Sequence, residues 1–328
     1  MNDGRGVMVF GEVSESITYE LLGIGRSLAA ALGEPLSCVV LGSGIRDQAR
    51  ELIAFGADTV SVVDDPLLKD YQADAYVTVM HRLCQEQRPN ILLLGQTIAG
   101  RDLAPRLAFR LHTGVATDCS ELAIDPTSRL LLQTRACYGG NVRATVVCPD
   151  ARPQMATVRA KTMAALARDD SRTGDVIDLD AGIDASCLRT RIVDESRETA
   201  TGVRLEDARV VVAGGRGMGG ADAFKQLDTL ATVLKGAVGA SRAACDAGYA
   251  PASAQIGLTG KVVAPTLYVA VAISGASQHM TGCSRSKVIV AINKDPAANI
   301  FKEARYGVVA DYREVLPAFT EMCRELLE

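Results

Sequence analysis

The chain has 328 residues, 48% of them hydrophobic and 23% charged, with a formal net charge of −4. That length accommodates two domains of ordinary size, and the composition excludes disordered and fibrous classes. The weak negative charge provides no broad basic field for nucleic acid or anionic lipid, and apolar runs of under about 10 residues predict no direct membrane insertion.

The N-terminal "MNDGRGVMVFGEV" enters a strand-like run without a charged leader, so no secretory signal is expected. Nine cysteines are scattered singly and none forms a C-x-x-C pair, which argues against zinc or iron–sulfur ligation. Unpatterned thiols fit a reducing, cytoplasmic setting, with most of them acting as small buried hydrophobes.

In chain order, "GVMVFGEV" (residues 6–13) and "LSCVVLG" (36–42) read as buried strands. Between them Ile17, Leu21, Ile24, Leu28 and Leu32 recur at the spacing of one helix face. "TVSVVDD" and "NILLLGQT" continue the strand rhythm, with helical segments around 49–55 and 76–84. Fully apolar strands alternating with helices predict a mostly parallel sheet covered on both faces. From Cys119 to Arg159 the pattern turns β-rich, and "LLLQTRACYGGN" with "RATVVC" suggests a strand pair joined through Gly139-Gly140. The polar, weakly periodic stretch at about 168–207 reads as a boundary region. It separates an N-terminal domain, 1–204, from a C-terminal one, 205–328. The second domain offers the strands "ARVVVA", "LYVAVAIS", "SKVIVAIN" and "YGVVAD" and a helix at about 221–235. A last helix carries Val315, Phe319, Met322 and Leu326 on one face. The fold class is therefore α/β, with two α/β domains and mostly parallel sheets.

Chemistry-bearing residues gather in the second domain. Directly after "ARVVVA" stands "GGRGMGG", in which Gly215, Gly217 and Gly220 satisfy G-x-G-x-x-G. Such a turn lets backbone approach a pyrophosphate at a helix N-terminus. The acidic residue expected about 20 positions later for a nicotinamide ribose is missing from "VLKGAVGAS". Arg216 instead puts a fixed cation inside the turn. A plain structural turn and an NAD site remain the alternatives at this point. Further on, Ser241 and Arg242 lie between glycines, and "QIGLTG" sets Thr259 between Gly257 and Gly260. "ISGASQH", "AINKD" and "VVAD" then close strands on Ser274–His279, Asn293 and Asp311. In an open parallel sheet ligands bind beyond the carboxyl ends of the strands, so this row of polar ends predicts one extended ligand. A nucleophile–base pair, paired carboxylates and a metal cluster are all missing from the pattern.

The series "GGRGMGG…GASRAACDAGY…QIGLTGKVVAPTLYVAVAISGASQHMTGCSRSKVIVAINKDP…IFKEARYGVVAD" resembles the α subunit of electron-transfer flavoproteins, densely over about 208–328. "GRDLAPRLAFRLHTGVATDC" and "YGGNVRATV" carry a looser likeness in the first domain. The resemblance implies a Rossmann-like FAD-binding C-terminal domain and an N-terminal domain with a subunit-interface role. It also implies a 1:1 heterodimer with a β subunit that holds AMP, or a second FAD in electron-bifurcating relatives. Electrons would come from acyl-CoA or related dehydrogenases and pass to a membrane-bound electron-transfer flavoprotein–quinone oxidoreductase, so the chain would be a carrier and not an enzyme.

Carried over position by position, the FAD contacts would be Arg216, Ser241, Arg242, Gln255, Ile256, Gly257, Leu258, Thr259, Ser274, Gly275, Ala276, Ser277, Gln278, His279, Asn293, Asp311 and Tyr312. Thr259 would hydrogen-bond near flavin N5, His279 would face the pyrimidine O2, and Arg242 would lie by the isoalloxazine ring. Leu258 stands where many members have glutamine, Cys283 where methionine is frequent, and Tyr312 where leucine is frequent.

Overall fold

The computed structural model describes residues 4–12, 16–137, 142–190, 192–194 and 203–327. The chain divides into two compact units, Met1–Glu195 and Ser196–Glu328, so the division falls inside the polar stretch at 168–207. Among the described residues no helix is long and apolar enough to cross a membrane.

In the first unit, β1 (Val7–Gly11), β2 (Leu36–Gly42), β3 (Thr59–Asp64) and β4 (Ile91–Gly95) alternate with α1 (Ile17–Leu32), α2 (Ala49–Ala54), α3 (Ala73–Gln87) and α4 (Ile98–Arg110). β5 (Val115–Ile124), β6 (Leu131–Cys137), β7 (Val142–Val146), β8 (Gln154–Val158) and β9 (Asp175–Asp178) complete a nine-stranded sheet of order β7-β6-β5-β8-β4-β1-β2-β3-β9. All pairings are parallel except β5–β6 and β6–β7.

Strand pleating sends alternate side chains to opposite faces. Val7 and Val9 accordingly pack with Ile17 and Leu21 of α1, while Met8 and Phe10 pack with Val79 and Met80 of α3. The expected strand pair is the β6–β7 ladder, from Gln133 opposite Val146 to Cys137 opposite Val142. Its Gly139-Gly140 connection lies outside the described residues. One expectation needs correction: Asp175–Asp178, read as boundary, is the edge strand β9 paired with β3. Its pattern, Asp-Val-Ile-Asp exposed throughout, has no buried face for periodicity to reveal.

The second unit is a six-stranded, wholly parallel sheet of order β12-β11-β10-β13-β14-β15. Its strands are β10 (Val210–Gly214), β11 (Ala237–Ser241), β12 (Gln255–Ile256), β13 (Leu267–Val271), β14 (Val288–Asn293) and β15 (Tyr306–Val309). Helices α5 (Ala221–Val233), α6 (Arg242–Asp246), α7 (Ser277–Met280), α8 (Ile300–Glu303) and α9 (Tyr312–Leu327) follow strand ends. β13 shows why both faces must be covered. Tyr268 and Ala270 join a core with Met280 and Ile300, whereas Val269 and Val271 join one with Leu227 and Leu316.

From β10 the chain pairs one way to β11 and the other way to β13. The topological switch point of the sheet therefore lies between the ends of β10 and β13.

Leu227 of α5 is fully buried against this sheet. Leu227→Ala should lower unfolding free energy by about 2–5 kcal/mol through lost burial and a residual cavity. Denaturant titration would register this as a lower midpoint at unchanged slope. A loss under about 1 kcal/mol would mean that α5 is not packed as described.

Candidate functional site

At the switch point two strand ends must pass close together. A Cβ at Gly215 would collide with the carbonyl oxygen of Ala272 just beyond β13, so only glycine admits this approach. The Gly215 amide donates to Val271 O at 2.9 Å, and the Ala272 amide donates to Ile292 O at 2.8 Å. Three neighbouring strand ends are thereby tied together. Asn293 adds a side-chain tie, donating through Nδ2 to Ile273 O at 3.0 Å while its Oδ1 accepts from the Asp295 amide at 3.0 Å.

Beyond these ends opens a cleft of about 760 Å³. Ligand sites span about 300–1,000 Å³, so this volume is adequate for a dinucleotide-sized molecule. Of the residues expected at the ligand, Arg216, Ser241, Arg242, Gln255, Ile256, Gly257, Leu258, Thr259, Ser274, Ala276, Gln278, His279 and Asn293 line it.

Gly275, Ser277, Asp311 and Tyr312 stand outside that lining. Gly275 has φ +81°, and a Cβ there would collide with the Ile300 backbone, so its role in the fold is to let the wall pack on α8. Ser277 opens α7 and accepts, through its carbonyl, from Thr281 Oγ1. Asp311 accepts from the Arg313 amide at 2.9 Å. Tyr312 is buried beneath the glycine turn, and its hydroxyl donates to Met218 O at 2.7 Å. A leucine could not make that bond, so tyrosine here braces the turn from below.

The cleft also draws in residues that the sequence pattern did not assign to it, among them Asp246, Ala272, Ile273 and Asp295. Asp246 alters the electrostatics. It pairs with Arg242 at 3.4 Å across one turn of α6, both side chains being about two-thirds exposed. Arg216 has no ion pair among the described residues, so it is the cation most available to a phosphate. The acidic spacing of Asp246 four residues after Arg242 was the available signal.

The turn after β12 is organised by short contacts. The Leu258 amide donates to Gln278 O at 2.8 Å, and the Gly257 amide to Lys261 O at 3.2 Å. Gln255 Nε2 donates to Thr259 Oγ1 at 2.9 Å, so the hydroxyl of this cleft-lining residue still has its own proton to donate.

His279 departs from the expected arrangement. Its Nδ1 lies 3.1 Å from Ile256 O, and a carbonyl can only accept, so Nδ1 carries the proton. Burial, partly opposed by that carbonyl, pushes its pKa down to about 4, so the ring is neutral at neutral pH. Nε2 must then accept, and the Tyr268 hydroxyl donates to it at 2.9 Å. Both ring nitrogens are therefore engaged within the second unit, and the ring lines the cleft. Burial likewise pushes the neighbouring Cys283 thiol up to about 12, so it is no thiolate. Among the described residues no cluster of metal-ligating side chains occurs.

Residues 8–184 match the family model for the electron transfer flavoprotein domain, and residues 204–284 that for the electron transfer flavoprotein FAD-binding domain. The chain is 47% identical to the electron transfer flavoprotein subunit alpha of Thermoanaerobacterium thermosaccharolyticum, over 99% of this chain and 100% of the relative. It is 43% identical to the protein of the same description from Bacillus subtilis, over 98% of each. An acryloyl-CoA reductase electron transfer subunit beta from Anaerotignum propionicum is 36% identical over 99% of this chain and 97% of that one.

The depressed His279 pKa has a consequence for stability. The unfolded chain takes up a proton near the ordinary value of 6.5, whereas the folded chain does so only near 4. Folding therefore loses stability as pH falls across that window, by about 3 kcal/mol in all. His279→Gln should flatten this part, so that its loss between pH 7 and 4.5 is about 2 kcal/mol smaller than that of the parent. Chemical denaturation at the two pH values measures the difference, and parallel profiles would show that His279 is not held neutral.

Proposed function

Because the chain belongs to the electron transfer flavoprotein α-subunit family, we propose that it is the FAD-holding half of a two-subunit electron carrier, with no substrate-transforming reaction of its own. The observation that carries this reading is the cleft at the switch point of the second sheet, walled by the Gly215–Gly217 turn and the Gly257–Thr259 turn. FAD, when bound, supplies the redox chemistry, and the chain supplies placement and electrostatics.

The residues fit that cofactor. The glycine turn admits close backbone approach for a pyrophosphate, with Arg216 as its cation. Thr259 presents a hydroxyl donor, and Leu258, 47% exposed, provides apolar surface at the same turn. The NAD reading is weaker, because the strand beside β10 ends in Ser241, followed by Arg242, where a ribose-binding carboxylate is needed.

A β subunit completes the carrier. Support comes from the descriptions of the relatives as alpha subunits and from large apolar side chains left open on α4, where Ile98 is 91% and Phe109 81% exposed. The N-terminal unit, 1–204 in our division by function, presents that interface, and 205–328 holds FAD. The donor would be an acyl-CoA or related flavin dehydrogenase, in keeping with the acryloyl-CoA reductase relative, and the acceptor a membrane quinone reductase.

Co-expression with the cognate β subunit should yield a yellow 1:1 heterodimer with one FAD, and AMP in the partner. Two FAD per heterodimer would replace the simple carrier by a bifurcating one. A colourless complex, or one that takes NAD instead, would overturn the reading.

The Arg242–Asp246 pair should set the first reduction potential of that FAD. An exposed ion pair contributes about 0.2–1 kcal/mol, which for one electron is about 10–40 mV. Asp246→Asn leaves the guanidinium uncompensated and should raise the potential by that amount, whereas Arg242→Leu should lower it. Spectroelectrochemical titration separates these shifts from a role in subunit contact, which would reduce complex yield and leave the potential of the surviving complex unmoved.

A further inference from the structure

We propose that Tyr268 is a positioning residue for the cofactor-facing turn Gly257–Thr259, acting through the His279 ring, which is clamped between the Tyr268 hydroxyl and the Ile256 carbonyl. The inference rests on the reading of the cleft as an FAD site.

Tyr268 is fully buried in β13 and does not line the cleft. Its ring fills the core beside Met280, Cys283 and Ile300, a place that phenylalanine would fill equally well. A hydroxyl there costs free energy unless it is bonded, and its partner is a residue of the cleft wall.

The turn needs such an anchor. β12 is two residues long, lies at the sheet edge and pairs with β11 through Gln255 with Ala240 and Ile256 with Ser241, with one isolated bridge from Ile256 to Lys261 across its own turn. Ile256 is its last residue, and Gly257–Thr259 hangs from it. A two-residue edge strand fixes direction poorly, so the turn depends on ties to other elements. One runs from the Leu258 amide to Gln278 O, and the other from His279 Nδ1 to Ile256 O. Both engage α7, a single turn of helix in which the His279 amide donates to Ala276 O at 2.9 Å.

A ring bonded only at Nδ1 could still pivot about its side-chain torsions. Bonded at Nε2 as well, it is fixed at both ends. The chain β13–Tyr268–His279–Ile256 thus transfers the rigidity of a strand paired on both sides to a turn at the sheet edge. Cys283 lies within hydrogen-bonding reach of the same hydroxyl, and its own thiol donates to His279 O at 3.6 Å.

The test pairs a cofactor-free measurement with one on the loaded complex. The protein has three histidines, so His279 can be assigned by ¹⁵N NMR of the full chain without FAD. The parent should show a neutral ring protonated at Nδ1, with Nε2 shifted by an accepted hydrogen bond, and that shift should vanish in Tyr268→Phe. A ring protonated at Nε2 in the parent would overturn the proposal whatever the cofactor.

In the complex with the β subunit, Tyr268→Phe should raise the FAD dissociation constant about five-fold, the worth of one hydrogen bond, and should move the first reduction potential. A lower melting temperature with unchanged affinity and potential would leave Tyr268 a mere packing residue and overturn it. His279→Gln should weaken FAD at least as much, and Tyr268→Phe combined with it should add nothing, because both break one chain. Additive effects would mean that Tyr268 does not act through His279. If Tyr268→Phe does not fold, unaltered FAD affinity in His279→Gln would by itself defeat the proposal. If the parent complex takes no FAD at all, the functional reading fails, while the NMR comparison still decides whether the clamp exists.

Discussion

The close passage of Gly215 and Ala272 is the constraint on which the rest of the second unit depends. Two adjacent parallel strands end side by side, and the chain beyond one must fold away from the chain beyond the other. Their backbones approach so closely that no Cβ fits between them. A crevice is the geometrical result. A glycine turn leads towards α5, the Ala272–Ser274 wall leads towards α7, and the space between them faces the amides and polar side chains of five strand ends. An extended ligand with an anionic middle suits such a place, because fixed dipoles and one available guanidinium replace its water without a buried countercharge.

The charge in the cleft is nearly balanced. Two arginines and two aspartates line it, with Arg242 and Asp246 paired and His279 kept neutral by burial. A cleft of strong single sign would hold a phosphate tightly but would also favour one redox state of its neighbour heavily. Here the available cation sits on the glycine turn and the compensated one on α6. The two cations of the cleft thus sit on different elements, and only the one on α6 is compensated by a neighbouring carboxylate among the described residues.

Much of this was legible in the residue pattern. Continuous apolar runs marked β1 to β4, β10, β13 and β14, because strands buried on both faces have no polar alternation to hide them. β11 escaped because Ala-Val-Gly-Ala-Ser carries little apolar bulk. Its smallness is set by packing, since a Cβ at Gly239 would run into the Ile256 side chain. β12 escaped because two residues cannot show a period. Residue types at the cleft were readable one strand end at a time, whereas pairings were not. Arg242 with Asp246, Tyr312 with Met218 and Tyr268 with His279 depend on which elements fold over one another, and no local signal in the second or third of these pairs carries that.

The first unit has a switch point of the same kind and fills it differently. Its order β3-β2-β1-β4 puts the reversal between β1 and β4. Beyond those ends Glu12 and Thr97 meet, the threonine hydroxyl lying 2.7 and 2.8 Å from the two carboxylate oxygens. Thr97 also caps α4, accepting from the Gly100 amide at 2.9 Å, so the carboxylate is held where a helix N-terminus begins. At the corresponding place in the second unit stand a glycine turn and a guanidinium. A carboxylate beside that capped helix end repels a phosphate, so similar topology gives the two units opposite electrostatics. The difference lies in the residues just past the first strand, Glu12 in one unit and Gly215-Arg216 in the other. Sheet order creates a switch point in each case, but the side chains beyond the first strand decide the charge that it presents.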